Sequence, residues 1–328
     1  ISLYIPVTAV LGRYNLKLLF NLENHDQPTT SLVHEAVKPI YVIFNPYNQL
    51  DTVFMENEAE LKEYVENEAG MIYRGSACQR HPKNWLFAQF DEFVLDQSIR
   101  ILLRDDRQKR FPYRNIPKLR QPWYVSRILS AAISNFCLQG NWSGDYCDGI
   151  SPLVWNGSAK ILQKAYETGE PTKFGQCWVF SGLTTSICRS LGIPSRPITC
   201  FDSAHDTDES MTIDNFKDIE TGEKVDISSD SVWNFHVWAE VYLRRDDMPK
   251  FHTVGDDQNQ TVINYDGWQV IDATPQEESF GIYQCGPAPV KAIKDGRIDC
   301  GFEAGFIFGE VNADRIYWNL KKIVYLGD

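Results

Sequence analysis

The chain has 328 residues, 43% of them hydrophobic, and a formal net charge of -12. This length is enough for one large globular domain and part of a second, each with its own core. The negative charge argues against nonspecific binding to nucleic acid or to anionic membranes. The sequence has no stretch that approaches the roughly 18 apolar residues of a membrane-spanning helix.

The first residues and the cysteines bear on where the protein resides. The segment from Ile1 to Pro6 contains neither an initiator Met nor the basic and apolar parts of a signal peptide. We therefore expect a fragment or a processed chain that is cytoplasmic, or extracellular without a visible signal peptide. The 8 cysteines form no Cys-x-x-Cys pair, and a chain of this length does not depend on a disulfide scaffold. Mostly free thiols are predicted.

Residues 1–46 have the pattern of β-strands. The alternating apolar residues are Leu3, Ile5, Val7, Tyr14, Leu16 and Leu18, with a turn at residues 11–13. A short apolar run follows at residues 40–44. This segment is predicted to be part of an antiparallel β-sandwich.

Helices are predicted from residue 57 onward. Apolar residues at helical spacing indicate helices within 57–68, 125–133, 159–166 and 181–191, and the last one stops at Gly192-Ile-Pro. Strands are predicted at 232–243 and 267–273. The pattern favours an α+β domain in which a helix packs against an antiparallel sheet.

Cys177 is predicted to lie where a glycine-containing loop enters the last of these helices. Backbone N–H groups and the positive end of a helix stabilise a thiolate, which is the reactive form of cysteine. The alternative interpretation is a buried, unreactive cysteine. That interpretation suits Cys188, further along the same helix.

The two predicted strands supply partners for this thiol. Strand alternation puts His236 and Trp238 on one face, where a neutral His can act as a base or can simply be packed in the core. Asp272 ends an apolar strand, and an unpaired buried carboxylate is costly. A neighbouring His would be its partner, held in the tautomer that accepts the thiol proton. The order helix, strand, strand for Cys177, His236 and Asp272 is typical of papain-like enzymes.

An acidic loop lies between the helix and the first of these strands. Asp206, Asp208, Ser210 and Thr212 place oxygen-bearing side chains at every second position, which is the spacing of a tight calcium loop. A solvated acidic turn is the simpler interpretation.

The segments around the three residues resemble the active-site segments of animal transglutaminases, the protein-glutamine γ-glutamyltransferases. They read Phe174-Gly-Gln-Cys-Trp-Val-Phe, Trp233-Asn-Phe-His-Val-Trp and Gly267-Trp-Gln-Val-Ile-Asp-Ala-Thr-Pro-Gln-Glu. The resemblance extends to Trp318 and includes Gly140-Asn-Trp-Ser-Gly and Glu310-Val-Asn-Ala-Asp. It implies a papain-like α+β core at 47–318, preceded at 1–46 by part of an immunoglobulin-like β-sandwich. Residues 319–328 would be a short atypical tail, without the two C-terminal β-barrels of the family.

The resemblance also implies a reaction and its partners. Cys177 would form a thioester with a protein glutamine, and His236, oriented by Asp272, would shuttle the proton. The acyl group would pass to a lysine-bearing protein or a polyamine, or to water in a deamidation. Trp142 would stabilise the oxyanion through its indole N–H and, with Trp233, would wall the acyl tunnel; core packing is the alternative for both.

Calcium is the cofactor that the resemblance implies. The family places one ion at the acidic loop and adds Asp230, just ahead of Trp233, to its ligands. A further site would use Asn312 and Asp314, although its glutamate ligands in the family lie beyond the region of resemblance here. A third family site, before the Gly140 segment, lacks its Asp-rich turn.

Three other functions share parts of this pattern. A cysteine protease would use the same three residues, but a tryptophan-walled tunnel suits an amine acceptor better than water. An inactive scaffold homologue would have lost the nucleophile, which is present here. A truncated, inactive form that keeps a nucleotide or partner site is the third alternative.

Overall fold

The computed structural model describes residues 3–24, 27–254, 260–276 and 278–321, and within them it shows the predicted α+β architecture. No helix in these residues combines the length and the apolar character needed to cross a membrane. All eight cysteines are free thiols, as predicted.

The N-terminal segment forms two separate two-stranded sheets, β1 with β4 and β2 with β3. The strands are β1 (Gly12–Tyr14), β2 (Lys17–Asn24), β3 (Gln27–Glu35) and β4 (Ile40–Val42). The prediction of a strand over Leu3, Ile5 and Val7 is wrong, because these residues lie outside strands. The predicted turn at Gly12 is also wrong, since Gly12 begins β1 and pairs with Val42. A short alternation does not by itself supply the partner strand that pairing requires.

The middle of the chain is mainly helical, and the predicted helices are present there. The elements are α1 (Glu58–Leu61), continued by a π-helical turn over Lys62–Glu66, β5 (Ala69–Gly75), β6 (Arg80–Leu86), α2 (Glu92–Arg104), α3 (Asp106–Arg110), α4 (Pro112–Asn115), α5 (Pro122–Phe136), β7 (Leu138–Gly140), α6 (Ala159–Thr168), β8 (Thr172–Gly175) and α7 (Cys177–Ser190). Helix α7 is buried along its whole length, so it is the central helix of the core.

The second half contains most of the strands. They are β9 (Ser195–His205), β10 (Thr212–Asp218), β11 (Ser231–Leu243), β12 (Phe251–Val254), β13 (Gln260–Ile263), β14 (Gly267–Asp272), β15 (Glu278–Ser279), β16 (Ile282–Tyr283), β17 (Cys285–Pro289), then α8 (Val290–Lys294), α9 (Ala304–Asn312) and β18 (Asp314–Leu320). Four of the strands form an antiparallel sheet in the order β17-β14-β11-β9.

This four-stranded sheet is covered on both faces because β11 alternates as predicted. Val237, Ala239 and Val241 join the main core together with α7, whereas Trp238 joins a second core with Phe306 of α9. The Ser181 hydroxyl donates a hydrogen bond to the Trp238 carbonyl at 2.6 Å and ties α7 to the sheet. Helix α7 is thereby fixed against β11, and it also packs on β9.

Candidate active site

Cys177 is the first residue of α7, as the sequence predicted, and is 4% exposed. The preceding residue, Gln176, is extended (φ -133°, ψ 178°), so the chain turns into the helix at the cysteine itself. The thiol therefore lies at a helix N-terminus, where free backbone N–H groups and the helix dipole favour a thiolate.

His236 and Asp272 form the buried pair that the sequence predicted. Nε2 of His236 lies 2.6 Å from Oδ2 of Asp272, and the two side chains are 0% and 2% exposed. The other carboxylate oxygen, Oδ1, accepts a hydrogen bond from the Thr274 backbone N–H at 2.8 Å. With Nε2–H donating to Asp272, Nδ1 is the nitrogen available to the Cys177 thiol.

Sequence reasoning missed a second carboxylate in the same cluster. Oε1 of Glu310 lies 3.6 Å from Nε2 of His236, and the Glu310 side chain is 3% exposed. The Gln276 amide donates hydrogen bonds to Asp272 Oδ2 at 3.0 Å and to Glu310 Oε1 at 2.8 Å. Gln276 thus links the two carboxylates around one imidazole. Both residues stand in the segments that carry the family resemblance, but no periodic pattern connects them to His236.

The two carboxylates set the protonation of the base. Burial by itself would lower the pKa of His236, but the charges of Asp272 and Glu310 and the hydrogen bond to Asp272 raise it well above its usual range. A high imidazole pKa favours the protonated form of His236.

Two other thiols differ from Cys177 in their surroundings. Cys188 is fully buried in α7, and burial raises its pKa, which agrees with the interpretation of an unreactive cysteine. Cys200 stands opposite His236 in the β9–β11 pair, and burial raises its pKa as well. Neither lies at a helix start.

The two predicted tryptophans flank the cluster. Trp233 packs edge-on against His236, with ring centroids 5.4 Å apart, and stacks on His205 at 5.0 Å. Trp142 is 46% exposed and lies parallel to Phe180 of α7, with centroids 6.5 Å apart. An added Cβ on Gly140 would come within 2.4 Å of the Trp142 ring, so a glycine at 140 gives this indole its room.

The acidic loop also assembles as predicted. The carboxylates of Asp206, Asp208 and Asp230 provide oxygens that all lie within 4.8 Å of one another. They converge because β9, which ends at His205, pairs with β11, which begins at Ser231 just after Asp230. The Thr207 backbone N–H and hydroxyl both donate to Asp230, at 3.0 Å and 2.7 Å.

The remaining loop residues complete an oxygen-rich cluster. The hydroxyls of Ser210 and Thr212 lie 2.9 Å apart, and the Ser210 backbone N–H donates to Asp208 at 3.1 Å. Burial raises the pKa of Asp206. Carboxylate and hydroxyl oxygens without nitrogen or sulfur are donors suited to a hard cation such as Ca²⁺.

The other predicted metal site lies at the end of α9. Asn312 ends α9 and Asp314 begins β18, and both are exposed. Among the described residues, Asp314 belongs to no group of three His, Cys, Asp or Glu ligands. Asp314 does pair with Thr212 across the parallel β10–β18 ladder, which brings it next to the acidic loop.

Known transglutaminases resemble this chain over nearly its whole length. A model of the transglutaminase-like superfamily matches residues 155–273. The chain is 44% identical over 323 residues to protein-glutamine gamma-glutamyltransferase E of Mus musculus, which covers 97% of this chain and 44% of the relative. It is 41% identical over 320 residues to protein-glutamine gamma-glutamyltransferase 4 of Homo sapiens, with 96% and 42% covered.

A solved structure shows the same fold. The crystal structure of red sea bream transglutaminase superimposes with a TM-score of 0.83 at 38% identity, over 97% of this chain and 46% of that one. The chain thus spans less than half the length of the relatives it matches. Cys177, His236 and Asp272 all fall inside the matched residues 155–273, and this part of the chain is a transglutaminase-like domain.

Proposed function

We propose that this protein is a calcium-dependent protein-glutamine γ-glutamyltransferase. The observation that carries the proposal is the position of Cys177 at a helix start, beside a buried His236 whose Nε2 lies 2.6 Å from Asp272. The substrates are a glutamine-bearing protein and an amine, either a protein lysine or a polyamine, and water is the competing acceptor.

The first half of the reaction forms a thioester. His236 takes the thiol proton, and the Cys177 thiolate attacks the carbonyl carbon of the glutamine side chain. The C–N bond of the tetrahedral intermediate then breaks, His236 returns the proton to the leaving nitrogen, and ammonia departs. The glutamyl group remains bound to sulfur.

The second half repeats these steps with an amine. The neutral amine attacks the thioester carbon, His236 accepts its proton, and the C–S bond breaks. Cys177 leaves as a thiolate, and the product carries an isopeptide bond. Asp272 and Glu310 stabilise the imidazolium that forms in both halves.

Two donors would stabilise the oxyanion. The Cys177 backbone N–H is the first of α7 and has no acceptor within the helix. The second donor would be the indole N–H of Trp142, as the family resemblance implies. Trp233 walls the other side against His236. Apolar walls limit the access of water, which favours an amine over hydrolysis.

Asp206, Asp208, Ser210, Thr212 and Asp230 would hold the calcium ion. When bound, the ion would supply positive charge that draws three carboxylates together. Asp230 precedes β11, and β11 carries Trp233 and His236. The loop and the tunnel wall are therefore joined through the chain. Asn312 and Asp314 remain a weaker proposal for a second ion.

Loss of the nucleophile tests the proposed function. We expect Cys177→Ala to abolish calcium-dependent incorporation of a labelled amine into a glutamine-bearing protein while the circular dichroism spectrum is unchanged. Cys147→Ala, at an exposed cysteine, is the control and should retain activity. Native-state labelling with iodoacetamide should modify Cys177 faster than Cys188 or Cys200. The reverse order, or an active Cys177→Ala enzyme, would contradict the assignment.

The closeness of Glu310 to His236 predicts that removing its charge shifts the pH dependence of kcat/KM. Glu310 raises the pKa of His236, so Glu310→Gln should lower it. The alkaline limb of kcat/KM, where the imidazolium loses its proton, should then move to lower pH. Steady-state rates of amine incorporation across the alkaline range would measure this shift. An unchanged alkaline limb, in a variant of normal stability, would show that Glu310 does not act on the base.

Removal of the indole tests the oxyanion role of Trp142. We expect Trp142→Phe to reduce kcat by about a hundredfold, because one preorganised donor is worth roughly 2.7–4 kcal/mol in the transition state. Trp142→Tyr, whose hydroxyl can donate, should retain more activity. KM for the glutamine substrate should change far less than kcat. A Trp142→Phe enzyme as fast as the parent would assign Trp142 to packing alone.

Substitution of a carboxylate in the acidic loop tests whether this loop binds calcium. We expect Asp208→Ala to raise the calcium concentration required for half-maximal activity without changing the rate at saturation. Asp226→Ala, an exposed acidic residue paired with Lys224, is the matched control. Titration calorimetry with Ca²⁺ should show weaker binding only in the first variant. Equal calcium dependence in both would remove the acidic loop from the ligand set.

A further inference from the structure

The β5–β6 hairpin is a basic region in an acidic protein. Between Glu68 and Asp91 the sequence has no acidic residue, although the whole chain carries a net charge of -12. The cations of this segment are Arg74, Arg80 and Lys83, with His81 beside them. A concentration of positive charge against the overall balance points to an anionic partner.

The strand register places three of these side chains on the face that turns toward α7. Arg74 stands opposite His81, and Ile72 stands opposite Lys83, so all four share one face of the hairpin. Ile72 is 1% exposed, which shows that this face is the inner one. On this inner face, Arg74 and Lys83 are half-buried.

Arg74 lies close enough to Cys177 for the two groups to interact electrostatically. Its guanidinium lies 4.9 Å from the centre of the Trp178 ring, and Trp178 directly follows Cys177. The other neighbour of Trp178 is Phe235, at 6.0 Å, which directly precedes His236. Arg74 therefore packs on an aromatic rim, Trp178 and Phe235, whose members are the sequence neighbours of Cys177 and His236.

No carboxylate of the described residues is placed to neutralise Arg74. None of their carboxylates forms an ion pair with it, and its Nε is buried without a hydrogen-bond partner. Burial lowers the pKa of Lys83, and the neighbouring charge of Arg74 lowers it further. The Lys83 ammonium donates to the Leu153 carbonyl at 2.7 Å. Two mutually repelling cations are thus held near each other without a carboxylate partner.

We propose that Arg74, supported by Lys83 and His81, is a specificity-determining residue that binds the carboxylate of an Asp or Glu next to the reactive glutamine. A guanidinium fork matches a carboxylate in two parallel hydrogen bonds. Burial of Nε and stacking on the Trp178 ring restrict the Arg74 guanidinium. It therefore loses less side-chain entropy on binding a carboxylate than an arginine at an open surface would. This inference rests on the proposed function, because it names the class of glutamine substrate that the same site takes.

The test compares matched peptides. The probes are blocked heptapeptides with a central glutamine and one Asp at each neighbouring position in turn, each paired with the same peptide carrying Asn instead. With the native chain, kcat/KM for amine incorporation should favour one Asp peptide over its Asn partner by about fivefold. Raising NaCl should reduce this ratio, because salt screens a partly exposed ion pair.

Variants assign the preference to Arg74. Arg74→Gln should bring the Asp/Asn ratio to about one, and Arg74→Glu should invert it and favour a Lys peptide. Arg100→Gln is the matched control: Arg100 also stacks on an aromatic ring, 4.6 Å from the centre of Tyr166, but outside the active site. It should keep the native ratio. An equal loss of kcat/KM for Asp and Asn peptides in Arg74→Gln would overturn the proposal, since Arg74 would then act on the thiolate or the fold.

A binding measurement separates this inference from the proposed function. The same fluorescently labelled peptides can be titrated into Cys177→Ala protein, whose binding does not require turnover. A preference for Asp over Asn that disappears in the Cys177→Ala, Arg74→Gln double variant supports the inference even if no amine is incorporated. Equal affinity for both peptides overturns it, even if the enzyme is active. If Arg74→Gln does not fold, Arg74→Lys and Lys83→Met replace it, and each should lower the ratio.

Discussion

The buried contact between His236 and Asp272 is the constraint on which the rest of the structure depends. A carboxylate and an imidazole that are 2% and 0% exposed are costly to bury unless each satisfies the other. The contact requires β11 and β14 to be neighbours, with Ile271 opposite Ala239. It also fixes which imidazole nitrogen remains for the thiol at the start of α7.

The second carboxylate extends this constraint to the far side of the sheet. Glu310 comes from α9, which packs on the face opposite α7. The segment that leads into α9 is fastened by the buried ion pair between Arg127 of α5 and Glu303. Glu303 also accepts a hydrogen bond from the Gly286 backbone N–H at 2.9 Å. Contacts on both sides of the sheet therefore hold the Glu310 carboxylate near His236.

Charge is segregated around this centre. The acidic loop lies at the end of β11 that precedes Trp233, whereas the basic hairpin lies over Trp178, next to the nucleophile. Both regions contain like charges held close together, which is unfavourable unless an ion of opposite sign is bound. The acidic loop therefore favours a bound cation, and the basic hairpin favours a bound anion. This arrangement is consistent with an acyl donor and a metal that approach from different sides.

The sequence by itself determined most helices and the core strands, and it predicted the three residues that we propose as the catalytic group. Helical spacing in residues 181–191 and alternation in 232–243 are local properties, because each follows from the period of one element. The oxygen spacing of the acidic loop is local for the same reason. Strong local patterns therefore located Cys177, His236 and Asp208 before any contact was known. The weak alternation at Leu3, Ile5 and Val7 failed, because strand formation requires a partner.

Only the tertiary structure decided which distant groups act together. Glu310 and Gln276 reach His236 from α9 and from the loop after β14, and Arg74 reaches the Trp178 ring from a hairpin that precedes α7 by about a hundred residues. No periodicity links such positions, since their proximity results from how the sheet and helices pack. The protonation of His236 and the charge at the rim depend on these contacts. For this physical reason the sequence predicted the proposed nucleophile and its base, whereas the packing determined their electrostatic surroundings.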